Sequence, residues 1–193
     1  GYFLLMAVHV VPLVFFGRKK QIVGEFTFGI LLMFSIGHSL YLVVPGYGPY
    51  RAMADAFQHP LPNGLWQSLI MDAVHSSGAL MDIFPSLHTG APTVLALFSY
   101  RNRKDLPYRY TWPIVTFCTV NIIIATMFLR WHYLIDVIAG FSIAVTVVLL
   151  SRPIVRWELA RRRREGLGEL WPEYSPRLSA SASKDLANEA AAA

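Results

Sequence analysis

Five apolar runs, at 2–16, 26–44, 86–100, 111–129 and 133–150, govern what this chain can become. A helix needs about 20 residues to cross the hydrocarbon of a bilayer, and only the first and third runs fall clearly short of that. Lipid offers a peptide group no outside partner, so runs of this kind must be helical. Pro12, Pro92 and Pro113 lie inside them, which is tolerable where neighbouring helices cover the carbonyls that a proline frees. A mean hydropathy of +0.43, with 54% of residues hydrophobic and only 15% charged, is too apolar for a soluble domain of ordinary surface. The expectation is an all-α integral membrane protein, a helical bundle of five transmembrane helices.

Charge placement orients the bundle. Arg18, Lys19 and Lys20 follow the first run; Arg101, Arg103, Lys104 and Arg109 follow the third; Arg152, Arg156 and Arg161 to Arg164 follow the fifth. If the runs alternate in direction, these thirteen basic residues share one side, and the other side holds only Arg51 and Arg130. Basic loops stay cytoplasmic. The opposite, extracytoplasmic face then carries a long connection at 45–85 and a tight one near Arg130 to His132. The transmembrane domain is expected over 1–164, with a flexible cytoplasmic tail at 165–193 whose Pro, Ser and Ala content gives it no core.

The net charge of +5 does not indicate nucleic acid, because the basic residues are spread through loops as topology requires and form no reading motif. The run of four arginines at 161–164 suits anionic headgroups of the inner leaflet. The single cysteine, Cys118, sits in an apolar run and excludes a disulfide framework. On the outer side, "LPNGLWQSLIMDAVH" at 61–75 has the turn residues and apolar spacing of an interfacial helix. Tyr47, Tyr50, Trp66, Trp131 and Tyr133 cluster near the same boundary, as an anchoring belt does.

Chemistry concentrates at that boundary. In "RWHYLIDVIAG", 130–140, His132 and Asp136 are four apart and fall on one face if the segment is helical. A carboxylate on one imidazole nitrogen fixes the tautomer and leaves the other nitrogen basic. Such a pair can equally tie down a helix end, so spacing alone leaves both readings open. His88, in "FPSLHTGAP", comes to the same face by alternation of the runs. Two histidines and an aspartate at one depth suit nucleophilic and acid catalysis shared between two imidazoles. Phosphorus is the natural electrophile, since a phosphoryl group in flight needs fixed donors. Arg51 and Arg130, the outer cations, and Ser86 with the amides at the start of a helix are the candidate phosphate ligands.

These elements resemble the type-2 phosphatidic acid phosphatase superfamily of membrane phosphatases and lipid phosphotransferases. "PSLH" at 85–88 is similar to its Pro-Ser-Gly-His element, with Leu87 in the glycine position, and "HYLIDVIAG" at 132–140 to its His-x-x-x-Asp element. The resemblance implies that His132 is the nucleophile, Asp136 its orienting partner and His88 the general acid, with Ser86 helping to hold phosphate. It implies a six-helix bundle, with one helix preceding Gly1, and a site at the outer membrane surface. The chain departs from the pattern where the family has an arginine six residues before the nucleophile, for Thr126 stands there and Arg130 comes two before. The first element's lysine is also missing, and Arg51 alone remains in "VPGYGPYRAM". Both departures look like the branch of inositol phosphorylceramide and sphingomyelin synthases.

The expected activity is that of a metal-independent lipid phosphate phosphatase working through a phosphohistidine on the outer face, with a lipid phosphate or phospholipid as substrate and no cofactor. A lipid phosphotransferase of the synthase type is the alternative, and a non-catalytic channel or carrier with histidines lining a polar cavity is a third reading. His59, Asp72, His75 and Asp82 in the long outer connection lack diagnostic ligand spacing, so no metal is expected from them; Asp82 could instead meet a polar headgroup. His9 and His38 lie inside apolar runs, where hydrogen-bonded packing is the expected role.

Overall fold

The structure, a computed structural model, describes residues 2–16, 20–59, 64–65, 68 and 81–168. Its helices are α1 (Tyr2–Phe16), α2 (Lys20–Val43), the single turn α3 (Pro49–Ala52) with a 3-10 turn at Ala54–Ala56, α4 (Leu87–Arg101), α5 (Tyr108–Phe128) and α6 (Leu134–Glu165). No strand occurs among the described residues. Most of the 61–75 segment, including Trp66, Asp72 and His75, lies outside them, as does 169–193.

All five apolar runs form helices, but three of those helices, α2, α5 and α6, are long and apolar enough to cross a membrane. α1 and α4 have 15 residues each, about 22 Å of rise against a hydrocarbon layer of about 30 Å. For α4 the reason is its place in the bundle. It packs against α1, α2, α5 and α6, and between Leu87 and Ser99 every residue except His88 and Leu97 is buried. A helix enclosed by others need not match the bilayer or be uniformly apolar, so α4 can carry Thr89, Gly90, Thr93 and Ser99 inside. α5 is its converse. It turns only Tyr108, Val115, Thr119 and Thr126 inward, while Ile114, Phe117, Ile124 and Phe128 stay exposed as a surface that suits lipid. Pro92 interrupts the ladder of α4. Thr119 of α5 reaches across to donate to the Pro92 carbonyl at 3.0 Å.

Short turns at 102–107 and 129–133 reverse the chain twice, so α5 runs antiparallel to α4 and α6 parallel to it, and both pack on α4. The starts of α4 and α6 therefore meet the end of α5 at one end of the bundle. There Gly46 N–H donates to Met81 O and Tyr50 N–H to Arg130 O, so the described parts of the 45–85 connection and the 129–133 turn come together.

The other end is held by buried polar pairs. Glu25 of α2 accepts from Gln21 at 2.6 Å and from Arg152 of α6 at 3.2 Å. His9 of α1 joins its own helix through Leu5 O at 2.8 Å and meets Ser99 Oγ of α4 at 2.5 Å, stacked between Phe26 and Tyr108. His38 is instead exposed and bonds Phe34 O within its own helix. Cys118 is a half-buried free thiol. These pairs explain why α2 starts at Lys20, ahead of its apolar run, and why α6 does not stop at residue 150. Glu158 binds Arg161 and Arg162 at i+3 and i+4, and Arg161 also binds Glu165, until Gly166 caps the helix in the left-handed region. Two arginines of the basic run are thus partnered along the helix.

The carboxylate of Glu25 is 1% exposed and Arg152 is 41% exposed, so the pair is only partly shielded from water. A double-mutant cycle of Glu25→Gln and Arg152→Ala, read from unfolding in detergent, is expected to show a coupling of about 1–2 kcal/mol. A coupling near zero would show that the pair does not join α2 to α6.

Candidate active site

Ser86 is the N-cap of α4, with extended backbone and a side chain that accepts Thr89 N–H at 3.2 Å. That is what a serine before a helix does, satisfying a first-turn donor. Ser86 is fully buried, and its own N–H donates to the carbonyl of Asp136 in α6 at 3.0 Å. Leu87 N–H, the first of the helix, donates to Tyr41 OH of α2 at 3.4 Å. His88 thus rides on a helix start fixed to two neighbours.

The turn that delivers His132 is built as a helix terminator. Arg130 N–H donates to Met127 O and Trp131 N–H to Thr126 O, with Arg130 at φ 58. This is the Schellman pattern, in which the left-handed residue is usually glycine. An arginine there carries about 1–2 kcal/mol of backbone strain. His132 follows, one residue ahead of the α6 N-cap Tyr133. The two members of "HYLID" are therefore not on one helical face, as spacing had predicted. They are neighbours because Asp136, in the first turn of α6, folds back to accept Tyr133 N–H on Oδ2 at 2.8 Å, which leaves the same oxygen 3.7 Å from His132 Nδ1.

On its other side His132 Nε2 stands 3.5 Å from His88 Nδ1, with the two rings 5.7 Å apart between centroids. His132 is 4% and Asp136 2% exposed. A separation of 3.7 Å is too long for a hydrogen bond, and His132 Nδ1 is buried without a partner among the described residues. Buried polar atoms of that kind are uncommon and cluster where function requires them; catalytic hydrogen bonds in empty sites often tighten only around substrate. The arrangement offers one imidazole facing a carboxylate through Nδ1 and a second imidazole through Nε2, with His132 and Asp136 buried and His88 half-buried.

Of the residues singled out in the sequence, His88, Ser86, His132 and Asp136 meet here. Arg51 and Arg130 have other partners: the Arg51 guanidinium is 4.2 Å over the Tyr47 ring, and that of Arg130 is 3.9 Å over Phe57 and donates to His59 O at 3.0 Å. His59 and Asp82 are exposed. Among the described residues no group of three His, Cys, Asp or Glu side chains could hold a metal ion.

Two wall residues were read in the sequence only as boundary anchors. The Trp131 ring meets His88 edge to face at 6.4 Å, and Tyr50 stacks on Trp131 at 5.6 Å. Adjacency of Trp131 to His132 was the available signal for one of them; Tyr50 arrives through the pairing of its N–H with Arg130 O, which no spacing announces. Thr89 adds a buried hydroxyl with no partner among the described residues, next to His88 in the chain.

The model of the PAP2 superfamily, the type-2 phosphatidic acid phosphatases, matches residues 2–150, from the start of α1 to the end of the apolar part of α6. The chain belongs to the PAP2 superfamily. Neither a curated protein nor a solved structure matches it. PAP2 members are generally phosphatases or phosphotransferases, and with three helices of spanning length this PAP2 chain is a membrane protein.

The left-handed backbone at Arg130 has a direct stability test. Arg130→Gly and Arg130→Ala both remove the guanidinium, but only alanine keeps a Cβ in the strained conformation. The glycine variant is expected to be the more stable by about 1–2 kcal/mol in detergent unfolding. Equal stabilities would contradict the terminator geometry.

Proposed function

We propose that this PAP2 protein is a lipid phosphoesterase that works through a phosphohistidine, with its site on the extracytoplasmic face. The observation that supports it is the apposition of His132 Nε2 and His88 Nδ1 at 3.5 Å, with Asp136 behind the other nitrogen of His132. In the first step His132 Nε2 attacks phosphorus, the bond from phosphorus to the lipid oxygen breaks, and His88 gives its proton to that oxygen. Asp136 stabilises the charge that develops on the His132 ring through Nδ1–H. In the second step His88 takes a proton from water as the water attacks phosphorus, releasing phosphate and restoring His132.

In-line transfer places attacking nitrogen and departing oxygen on opposite sides of phosphorus, about 3 Å from nucleophile to phosphorus, with the acid within about 3 Å of the oxygen. The resting 3.5 Å between the rings is shorter than that whole path. The rings must therefore part as the phosphoryl group enters. Ser86 and the amides at the start of α4 are proposed to meet its oxygens, and the Arg51 and Arg130 side chains, each at present over an aromatic ring, to swing toward the incoming charge. The proposed orientation places the basic ends of α4 and α6 and the chain beyond residue 165 in the cytoplasm, with 1–164 as the catalytic membrane domain.

One observation favours transfer to a lipid alcohol over hydrolysis. Thr126, at the position where the family pattern has an arginine, is buried and spends its hydroxyl on Ile123 O at 2.8 Å. With that charge missing, the phosphate pocket differs from that of the phosphatases in the way the synthase branch does. Purified protein with a labelled phosphatidic acid or phospholipid, with and without ceramide or diacylglycerol, separates the two: free phosphate without acceptor is expected, and an acceptor-dependent product with negligible phosphate would make the enzyme a transferase. His132→Ala is expected to lose at least about a thousandfold in turnover of either kind. Undiminished turnover in a folded His132→Ala protein would refute the mechanism.

A further inference from the structure

Two glycines lie immediately beneath the histidine pair, and the backbone around them leaves no room for a side chain. A Cβ built on Gly140 of α6 would collide with the carbonyl oxygen of Ser86 and stand 3.2 Å from its carbonyl carbon and 3.4 Å from its nitrogen. All three are main-chain atoms of the α4 N-cap, so no rotamer change relieves the contact. Across the same crossing, a Cβ on Gly90 would strike the end of the Met33 side chain and lie 3.2 Å from the Gly140 carbonyl. α4 and α6 therefore touch backbone to backbone at one point. That point is also where Ser86 N–H donates to Asp136 O.

Each histidine is a short lever from this crossing. His88 is two residues beyond Ser86 and two before Gly90, while Asp136 is one helical turn before Gly140 and holds the approach to His132 through Tyr133 N–H. We infer that Gly140 is a positioning residue: by letting the α4 N-cap rest on the α6 backbone, it sets the separation of His88 from His132 and so the alignment of the acid with the nucleophile. Gly90 does the same less stringently, because a flexible methionine end faces it on one side. The inference rests on the phosphohistidine reading, since it presumes that His88 and His132 act on opposite sides of one phosphoryl group.

Pushing α4 away from α6 moves the proton donor relative to the nucleophile but leaves His132 with Asp136, both of which belong to the α6 side. The cost should fall on the step that needs His88. An alkyl ester such as phosphatidic acid departs as a poor leaving group and needs the proton; p-nitrophenyl phosphate departs as a stable phenolate and does not. A displacement of about 1 Å in a catalytic site can cost on the order of a hundredfold.

The test is Gly140→Ala, purified in detergent and assayed on both esters beside wild type, His88→Ala and His132→Ala. The expected result, read from first-turnover release of the leaving group before the phosphohistidine breaks down, is a fall of about a hundredfold on phosphatidic acid and of under about threefold on p-nitrophenyl phosphate. His88→Ala should show the same selectivity in that first turnover and slow further turnover of both esters, and His132→Ala should lose both activities. Should Gly140→Ala not accumulate as folded protein, Gly90→Ala is expected to show the same selective loss at about tenfold. Equal losses on the two esters, or full turnover of phosphatidic acid, would overturn the positioning role while leaving the enzyme reading intact. If His132→Ala kept both activities, the phosphohistidine reading itself would fall.

Discussion

A bilayer gives a peptide group nothing to bond with, and a helix that carries polar residues through it must be wrapped by other helices. α4 is that helix here. Enclosed by α1, α2, α5 and α6, it tolerates threonines, a glycine and a proline in its middle, and it begins inside the bundle. Its first turn brings His88 to a site where the capping serine is fully buried. The two long lipid-facing helices flanking it supply what α4 lacks in length. Their joining turn, 129–133, has to fold back over the start of α4, and this is what sets His132 against His88.

The capping residues beside that turn each serve two purposes. Asp136 caps α6 through Tyr133 N–H and faces His132 with the same oxygen. Ser86 caps α4 with its hydroxyl and ties α4 to α6 with its amide. Burial gives this economy its consequence: charge interactions are stronger away from water, so a carboxylate that only approaches the buried His132 ring still biases which nitrogen carries the proton. The strain at Arg130 belongs to the same economy, since a left-handed residue is needed to end α5 abruptly and the chain places an arginine there.

Much of this was legible before any coordinates. Apolar runs of 15 to 19 residues located the helices, because lipid permits no other structure, and the alternating direction of the runs put residues 86–88 and 130–136 at one end. The family was legible in "PSLH" and "HYLIDVIAG", and the PAP2 match over 2–150 agrees with it. Less visible was anything decided by three-dimensional packing. The apolar run of α6 ends near Leu150, yet the helix continues to Glu165 because Glu158 and the arginines beyond it pair along the axis. The i,i+4 spacing of His132 and Asp136 suggested a shared helical face, whereas a cap brings them together. The shortness of the first and third runs was visible too, but that the others enclose α4, and that Tyr50 lines the site through Trp131, was decided by packing.

The account turns on a nitrogen–phosphorus bond forming at His132. Its most direct measurement is to mix the protein with phosphatidic acid, quench within one turnover by denaturation in alkali, where such a bond survives, and map the phosphorylated peptide by mass spectrometry. The account predicts phosphate on the peptide containing His132, with more of it trapped in His88→Ala than its slow turnover would otherwise allow, because breakdown also needs that base. Phosphate found on another residue, or an enzyme that turns over substrate with His132 never modified, would contradict it.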